Sequence, residues 1–276
     1  MEWEKIRKID GHVHILPKEV HNANPEMTGE FCHAVTEEMI SRMDRYNIES
    51  AVIMPFNDPF LMSNAFTVEA VHENLREMKR LYPGRFYAFA DIDVRNSVED
   101  SVRSILTSGL DGLKIHPQNT GMNADDIYYI SVLKEVSGLP VTIHCYPDGE
   151  DDVSAARRIA ALAEMFPGIT FIAAHIGALQ WERLLDTNVY VEMSSILPDY
   201  IRVYGTEKTN RIFRSFGADR LIYGSDYPTS RLLYPSAIDP FYFGILNQMD
   251  FNEEEKERIA YGNMKKILGD TVSVLR

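Results

Sequence analysis

The stretch Pro140–Gly177, PVTIHCYPDGEDDVSAARRIAALAEMFPGITFIAAHIG, decides the fold. It opens on one short apolar run, PVTIHC, and closes on another, TFIAAHIG. Both are rich in β-branched residues and too short for helices, so both read as strands. Between them, DDVSAARRIAALAEMFPG carries apolar residues at helical spacing and stops at the Pro167–Gly168 pair. Two strands joined through a helix run parallel, because the crossover returns the chain to the end of the sheet where it started. Neither run alternates polar with apolar, so both sheet faces are covered. Each run also ends in a histidine, His144 and His175.

Outward from this unit the same alternation continues. Strand-like runs recur at IRKIDGHVHI, SAVIMP, FYAFADID and GLKIHP before it, and at VYVEMSS and RLIYGSDYP after it. Helical periodicity fills Thr36–Asn47, Asn64–Pro83, Ser97–Gly109 and Ala124–Gly138, with Thr36 as a start signal and Gly109 and Gly138 as stops. Eight strand–helix units in 276 residues match the size of a single-domain (β/α)8 TIM barrel spanning 1–276. A doubly wound open sheet writes the same alternation and is the competing reading. Three connections exceed what a turn needs: Pro17–Val35, Phe56–Ser63 and Pro198–Thr206. In a barrel these lie over the C-terminal mouth, where sites are built.

Composition narrows the function classes. With 45% hydrophobic and 25% charged residues the chain has ordinary globular content. A net charge of −13 and no Lys/Arg cluster exclude a nucleic-acid footprint. Two cysteines, Cys32 and Cys145, cannot make a disulfide framework and point to a reducing compartment. MEWEKIRKID lacks the apolar core of a signal peptide, and no apolar run is long enough to span a bilayer. The expectation is a cytoplasmic protein without a membrane partner.

His12 and His14 in DGHVH lie two apart on the first strand, so both point to one face, about 6–7 Å apart along it. Two imidazoles placed so can share a metal ion. An isolated HxH is commonplace, but His116, His144 and His175 also end their strands, and a common end on several strands is poorly explained by packing. Of the eight histidines only His21, His33 and His72 fall elsewhere. Asp226, at the end of the eighth apolar run, would be costly to bury unless paired or bound to a cation. His12, His14, His144 and Asp226 together offer three nitrogens and one oxygen, a set that suits zinc and accepts Mn, Fe or Co.

The phrases DGHVH, GLKIHP, AAHIGA, YGSDYP and YGNMKKIL are similar to those of the amidohydrolase superfamily. They resemble its amidohydrolase-related branch, which includes metal-dependent hydrolases and the aminocarboxymuconate semialdehyde decarboxylase group. The resemblance runs from about Ile9 to Leu268, nearly the whole chain. It implies His12, His14 and His144 as metal ligands, Asp226 as ligand and proton carrier, and His175 beside the attacking water or the substrate oxygen. Two-metal members use a bridging carboxylated lysine or a glutamate on strand four. Here Lys114 lies one pleat below His116, so it is either such a bridge or an inward lysine paired with Asp91 or Asp93. A single metal is the preferred reading, with His116 facing the substrate.

A divalent metal so held would turn water into hydroxide near neutral pH, and Asp226 could carry the proton to the leaving group. The expected function is hydrolysis of a C–N, C–O or C–C bond in a small molecule. Decarboxylation of an unsaturated or aromatic acid is the alternative, and a non-catalytic binding barrel the remaining class. Arg231 is a candidate clamp for a substrate carboxylate, Tyr146 and Tyr227 are candidate ligand donors, and Asn57 and Asp58 are polar at the mouth. Glu192 is a candidate partner for a ligand histidine. The acidic run Asp148–Asp152 reads as a helix cap. Phe60, Leu61 and Met62 could line a homodimer contact or cover the site.

Overall fold

The computed structural model describes residues 1–15, 36–55, 67–230 and 233–274. Among them eight parallel strands follow one another around a nearly closed barrel, each beside its neighbour in sequence. They are β1 (Lys8–His14), β2 (Ile48–Met54), β3 (Phe86–Ala90), β4 (Gly112–Ile115), β5 (Val141–Ile143), β6 (Phe171–Ala173), β7 (Tyr190–Glu192) and β8 (Leu221–Ile222). A doubly wound sheet reverses its strand order part-way; this order never reverses, so the (β/α)8 TIM barrel holds. Helices α1 (Thr36–Arg45), α2 (Val68–Leu81), α3 (Val98–Ser108), α4 (Ile127–Glu135), α5 (Ala156–Met165), α6 (Leu197–Phe216) and α7 (Pro235–Leu246) lie between or after the strands, followed by α8 (Glu253–Glu257) and α9 (Asn263–Val274).

The helix starts follow local chemistry. Thr67, Ser97 and Asp126 each accept a backbone N–H of the following turn, at 3.2, 3.1 and 2.9 Å, satisfying donors that a helix cannot pair itself. Gly109 ends α3 in the left-handed conformation, φ 66°. The acidic run after His144 does not cap α5, whose N-cap is Ala155 with no side-chain bond. Instead Asp152 takes the N–H and hydroxyl of Ser154, at 2.7 and 2.8 Å, and folds the turn upstream. Pro198–Thr206 is not a loop either: it lies in α6. Pro198 stands in the first turn, where its missing N–H costs nothing, and Gly205 (φ 70°, ψ 169°) breaks the range into two helical segments across a kink.

Ile9, Val52, Met54, Phe89, Ile172 and Ile222 form one buried cluster, joined by Met264, Ile267 and Leu268 of α9. The larger core lies between strands and helices and includes Val13, Ala51, Ile53, Leu113 and Val141. The seam between β8 and β1 is thin. Single bonds from Gly11 N to Tyr223 O (2.9 Å), Asp226 N to His12 O (2.9 Å) and His14 N to Tyr227 O (2.8 Å) close it. The pairing register of β1 shifts between Asp10 and Val13.

Candidate metal centre

The site grows from that seam. His12 and His14 face each other through their Nε2 atoms, 3.2 Å apart. Asp226 Oδ1 lies 3.4 Å from His12 Nε2 and 3.2 Å from His14 Nε2. These three donors lie within 4.8 Å of one another, and all three residues are buried. Asp226 sits four residues beyond the end of β8, not on a strand, and takes φ 62°. Its Oδ2 accepts the Ser195 hydroxyl at 2.5 Å, leaving Oδ1 toward the histidines. Burial pushes its pKa up, but the surrounding imidazoles of His12, His14 and His175 outweigh this and hold it below the usual carboxylate range.

The outer ring nitrogens fix the tautomers. His12 Nδ1 lies 2.8 Å from Glu192 Oε1, and His14 Nδ1 3.4 Å from Met54 O. Both oxygens accept, so both Nδ1 atoms carry the proton and both Nε2 lone pairs point inward. Two ring nitrogens and a carboxylate oxygen then converge on one place, with the Lys114 Nζ also 3.2 Å from His12 Nε2, a donor set that suits a cation. Burial, then the ammonium of Lys114, lowers the His12 pKa well below its ordinary value, which keeps the ring a neutral ligand. This donor set fits a divalent metal.

His144 and His175 repeat the pattern beside it. His175 Nδ1 donates to Ser194 O at 2.8 Å, and His144 Nε2 to Gln118 Oε1 at 2.9 Å. The Gln118 amide is oriented by its own bond to Tyr146 O, 2.9 Å. The inner atoms, His175 Nε2 and His144 Nδ1, face each other at 3.1 Å. His144 thus stands outside the three-donor group, one imidazole away, with the His12 and His175 rings 5.5 Å apart. His116 stacks on His144 at 3.9 Å, and its Nδ1 accepts Asn119 N–H at 3.3 Å.

Fully buried Glu192 ties the two halves together. Besides His12 it accepts the His175 N–H (3.2 Å), the Ser194 N–H (2.8 Å) and the Ser194 hydroxyl (2.8 Å). Gly224 must be glycine, since a Cβ there would sit 2.5 Å from Glu192 Oε2. His175 follows β6 in a left-handed run with Ile176 and Gly177, φ 59°, 53° and 72°, conformations that cost non-glycine residues about 1–2 kcal/mol each. Lys114, almost wholly buried, places Nζ 3.2 Å from His12 Nε2. Burial pushes its pKa down to about 8 despite Glu192, Asp226 and Asp91 nearby. Asp93 is not its partner: that carboxylate is taken by Arg95 at 2.7 Å.

A sequence-family model described as Amidohydrolase matches residues 9–269. The chain belongs to the amidohydrolase family. No curated protein sequence matches it. Several solved structures share the fold of this amidohydrolase at low identity. One is a 5-carboxyvanillate decarboxylase from Novosphingobium aromaticivorans with bound manganese, 16% identical, TM-score 0.68, covering 96% of this chain and 98% of that one. Another is designated a probable 2-pyrone-4,6-dicarboxylic acid hydrolase from Acinetobacter baumannii, with citric acid bound: 17%, TM-score 0.68, 96% and 100%. A third is a 4-oxalomesaconate hydratase from Rhodopseudomonas palustris: 15%, TM-score 0.67, 97% and 97%.

Other candidate residues of the amidohydrolase fall as follows. The Tyr146 hydroxyl donates to Asp199 Oδ2, and its ring meets His175 edge-on at 5.5 Å. Tyr227 packs over the Arg42 guanidinium, 4.7 Å away. Arg231, Asn57, Asp58, Phe60, Leu61, Met62, Cys32, His21 and His33 lie outside the described residues. His72 is packed in the core, its Nε2 accepting Asp91 N–H at 2.9 Å. Sequence reasoning missed Gln118, Ser194 and Ser195, which orient His144, His175 and Asp226. Their only signal was position: each lies within three residues of an assigned strand-end residue. No helix among the described residues is long and apolar enough to cross a membrane.

Proposed function

We propose that this amidohydrolase is a metal-dependent hydrolase acting on a small, carboxylate-bearing molecule. One divalent cation, zinc before Mn, Fe or Co, would be held by His12, His14 and Asp226; His144, expected as the fourth ligand, lies one imidazole away against His175 and joins only by moving inward. The observation that carries the reading is the convergence of the His12 Nε2, His14 Nε2 and Asp226 Oδ1 lone pairs within 4.8 Å, with the outer histidine nitrogens already committed as donors. Such a cation supplies Lewis acidity, acidifying a water and polarising a substrate oxygen. Asp226 accepts the proton of the attacking water and returns it to the leaving group as the C–N, C–O or C–C bond breaks. Ser195 holds Oδ2 throughout, so the carboxylate turns little between the two proton transfers. His175, whose Nδ1–H is committed to Ser194 O, presents Nε2 as an acceptor that orients the water.

His116 and Arg231 are assigned to the substrate side, and Lys114 to positioning; Tyr146, a candidate on that side, has its hydroxyl committed to Asp199 and its ring against His175, and Lys114 becomes a bridging ligand only if two metals are found. The acidic charge supports a small molecule rather than nucleic acid as the partner, and the cysteine-poor composition supports a cytoplasmic location.

Elemental analysis of untagged protein, before and after chelation, tests the reading. About one zinc, iron or manganese per chain is expected in the native protein, and none in His14→Ala. A screen of lactones, amides and unsaturated acids then separates the reactions. Uptake of solvent oxygen into product marks hydrolysis; release of CO2 without it moves the assignment to decarboxylation. Absence of metal after reconstitution would leave a binding barrel.

A further inference from the structure

Beside the site, on the outer side of the β8–β1 seam, lies a buried charge cluster that the chemistry does not use. Arg42 of α1 donates from Nε to Asp239 Oδ2 (2.7 Å) and from Nη2 to Asp239 Oδ1 (2.7 Å) and Asp10 Oδ2 (2.8 Å). The side chains of Arg42, Asp10 and Asp239 are 5%, 0% and 2% exposed. Three charges removed from water this completely cost several kcal/mol each before pairing, and hydrophobic residues would close a barrel seam without that cost. The partners of Asp10 show what the cluster achieves. Asp10 also accepts Ser225 N–H (2.9 Å), Ser225 Oγ–H (2.6 Å) and His12 N–H (3.3 Å). Ser225 Oγ in turn accepts Tyr227 N–H at 3.0 Å, and the Tyr227 ring lies over Arg42.

The two residues flanking Asp226 are therefore both anchored to this cluster. Asp226 itself holds a positive φ that no regular strand enforces, since β8 ended at Ile222. On the other side of the seam the same carboxylate reaches the backbone of His12, where the β1 register shifts. Asp239, on α7, is further fixed by the Tyr223 hydroxyl at 3.1 Å.

We infer that Arg42 is a positioning residue: by clamping Asp10 to Asp239 it sets the spacing of His12 and Asp226 across a seam that too few backbone bonds define. It touches neither the cation nor the substrate, and it acts through Asp10 and Ser225. The inference rests on the metal-centre reading above.

The test is metal affinity, measured for zinc and manganese by chelator competition, in the unsubstituted protein and in Arg42→Lys and Asp239→Asn. Lysine keeps the charge but cannot span both carboxylates with a planar fork. Each variant is expected to bind metal 10-fold or more weakly, within the roughly 10–100-fold range for groups behind metal ligands. Ile105→Ala, in the core under α3 and remote from the seam, controls for general softening: it lowers Tm and leaves metal affinity within twofold. Folded Arg42→Lys or Asp239→Asn protein with unchanged affinity overturns the inference, as does an equal loss in Ile105→Ala. Should Arg42→Lys fail to fold, Asp239→Asn, which keeps shape and one acceptor, decides by the same criterion. Absence of metal binding in the unsubstituted protein overturns the metal reading itself, an outcome distinct from the other two.

Discussion

Glu192→Gln is the substitution whose consequence the geometry defines most closely. The side chain keeps its size, so neither cavity nor clash enters, and Gly224 still leaves room for it. What changes is one acceptor oxygen into a donor NH2. In the native protein Oε1 takes His12 Nδ1–H, His175 N–H and Ser194 Oγ–H, and Oε2 takes Ser194 N–H. If the amide nitrogen stands at Oε2, it meets the Ser194 N–H donor to donor, stranding a buried group at about 1–3 kcal/mol. If it stands at Oε1, three donors confront it. The easiest relief there is for His12 to change tautomer and move its proton to Nε2, the atom that faces His14 and Asp226. Either arrangement loosens or blocks the first metal ligand. Metal affinity is therefore expected to fall about 10–100-fold, equivalent to about 1.4–2.8 kcal/mol. Chelator competition at pH 7.5, with circular dichroism to confirm folding, reads this directly. A folded Glu192→Gln protein with affinity within twofold of the unsubstituted chain would refute the tautomer assignment, and with it the claim that Glu192 orients His12 for a cation.

Other outcomes follow from the same contacts. His72 has its pKa lowered to about 4, chiefly by burial, against about 6.5 unfolded. Between those values the unfolded chain binds more protons, so stability falls as pH drops through this window. At pH 5 the loss from this group is about 2 kcal/mol relative to pH 7. Urea titrations at both pH values should show that much less acid loss in His72→Gln, which keeps an acceptor for Asp91 N–H; equal losses would disprove it. Gly224→Ala would put a methyl carbon 2.5 Å from Glu192 Oε2 and 3.3 Å from His12 Cβ. It should cost about 1–3 kcal/mol by overpacking and also reduce metal content, whereas a thermal shift with full metal occupancy would count against it. Tyr146→Phe removes the hydroxyl bonded to Asp199 and should cost about 1 kcal/mol of stability while leaving KM within twofold. A tenfold rise in KM would return Tyr146 to direct substrate contact.

The barrel was legible because parallel buried strands and amphipathic helices write different periods, and the Pro140–Gly177 unit shows both. His12 and His14 were legible because a strand repeats every two residues. Asp226 and His175 were found as chemistry and misplaced as geometry. The apolar runs predict a strand end at each, yet β8 stops at Ile222 and β6 at Ala173, and both residues lie beyond in positive φ. Periodicity has no term for a left-handed turn of non-glycine residues, because local propensity opposes it and only tertiary bonds hold it. Arg42 was hidden for a related reason. In TEEMISRMDR it reads as one more charge on a solvated helix face, and nothing local announces two carboxylates arriving from residues 10 and 239. The connection Pro198–Thr206 misled in the opposite sense: Pro198 is absorbed in the first turn of α6, and only Gly205 interrupts the helix.

The distribution of strain explains why the hydrogen-bonded residues behind the ligands matter unequally. Among the described residues, the positive-φ positions other than glycine are Asn47 and then His175, Ile176, Ala178, Ser195 and Asp226. All but Asn47 follow β6, β7 or β8 on the mouth side, while His12 and His14 lie within β1, where the ladder to β2 holds the backbone. His14 is thus placed by sheet register, opposite Met54, whereas His12 lies in the register shift and leans on Asp10, which takes its N–H. Asp226 and His175 are placed by side chains, through Ser195, Ser194, Glu192 and the Asp10 cluster, against a conformational cost of about 1–3 kcal/mol per residue. A site built this way is stiff only while those bonds are intact. Substitutions in that layer should therefore act on Asp226 and His175 before they act on the fold, separating metal affinity and proton transfer from global stability.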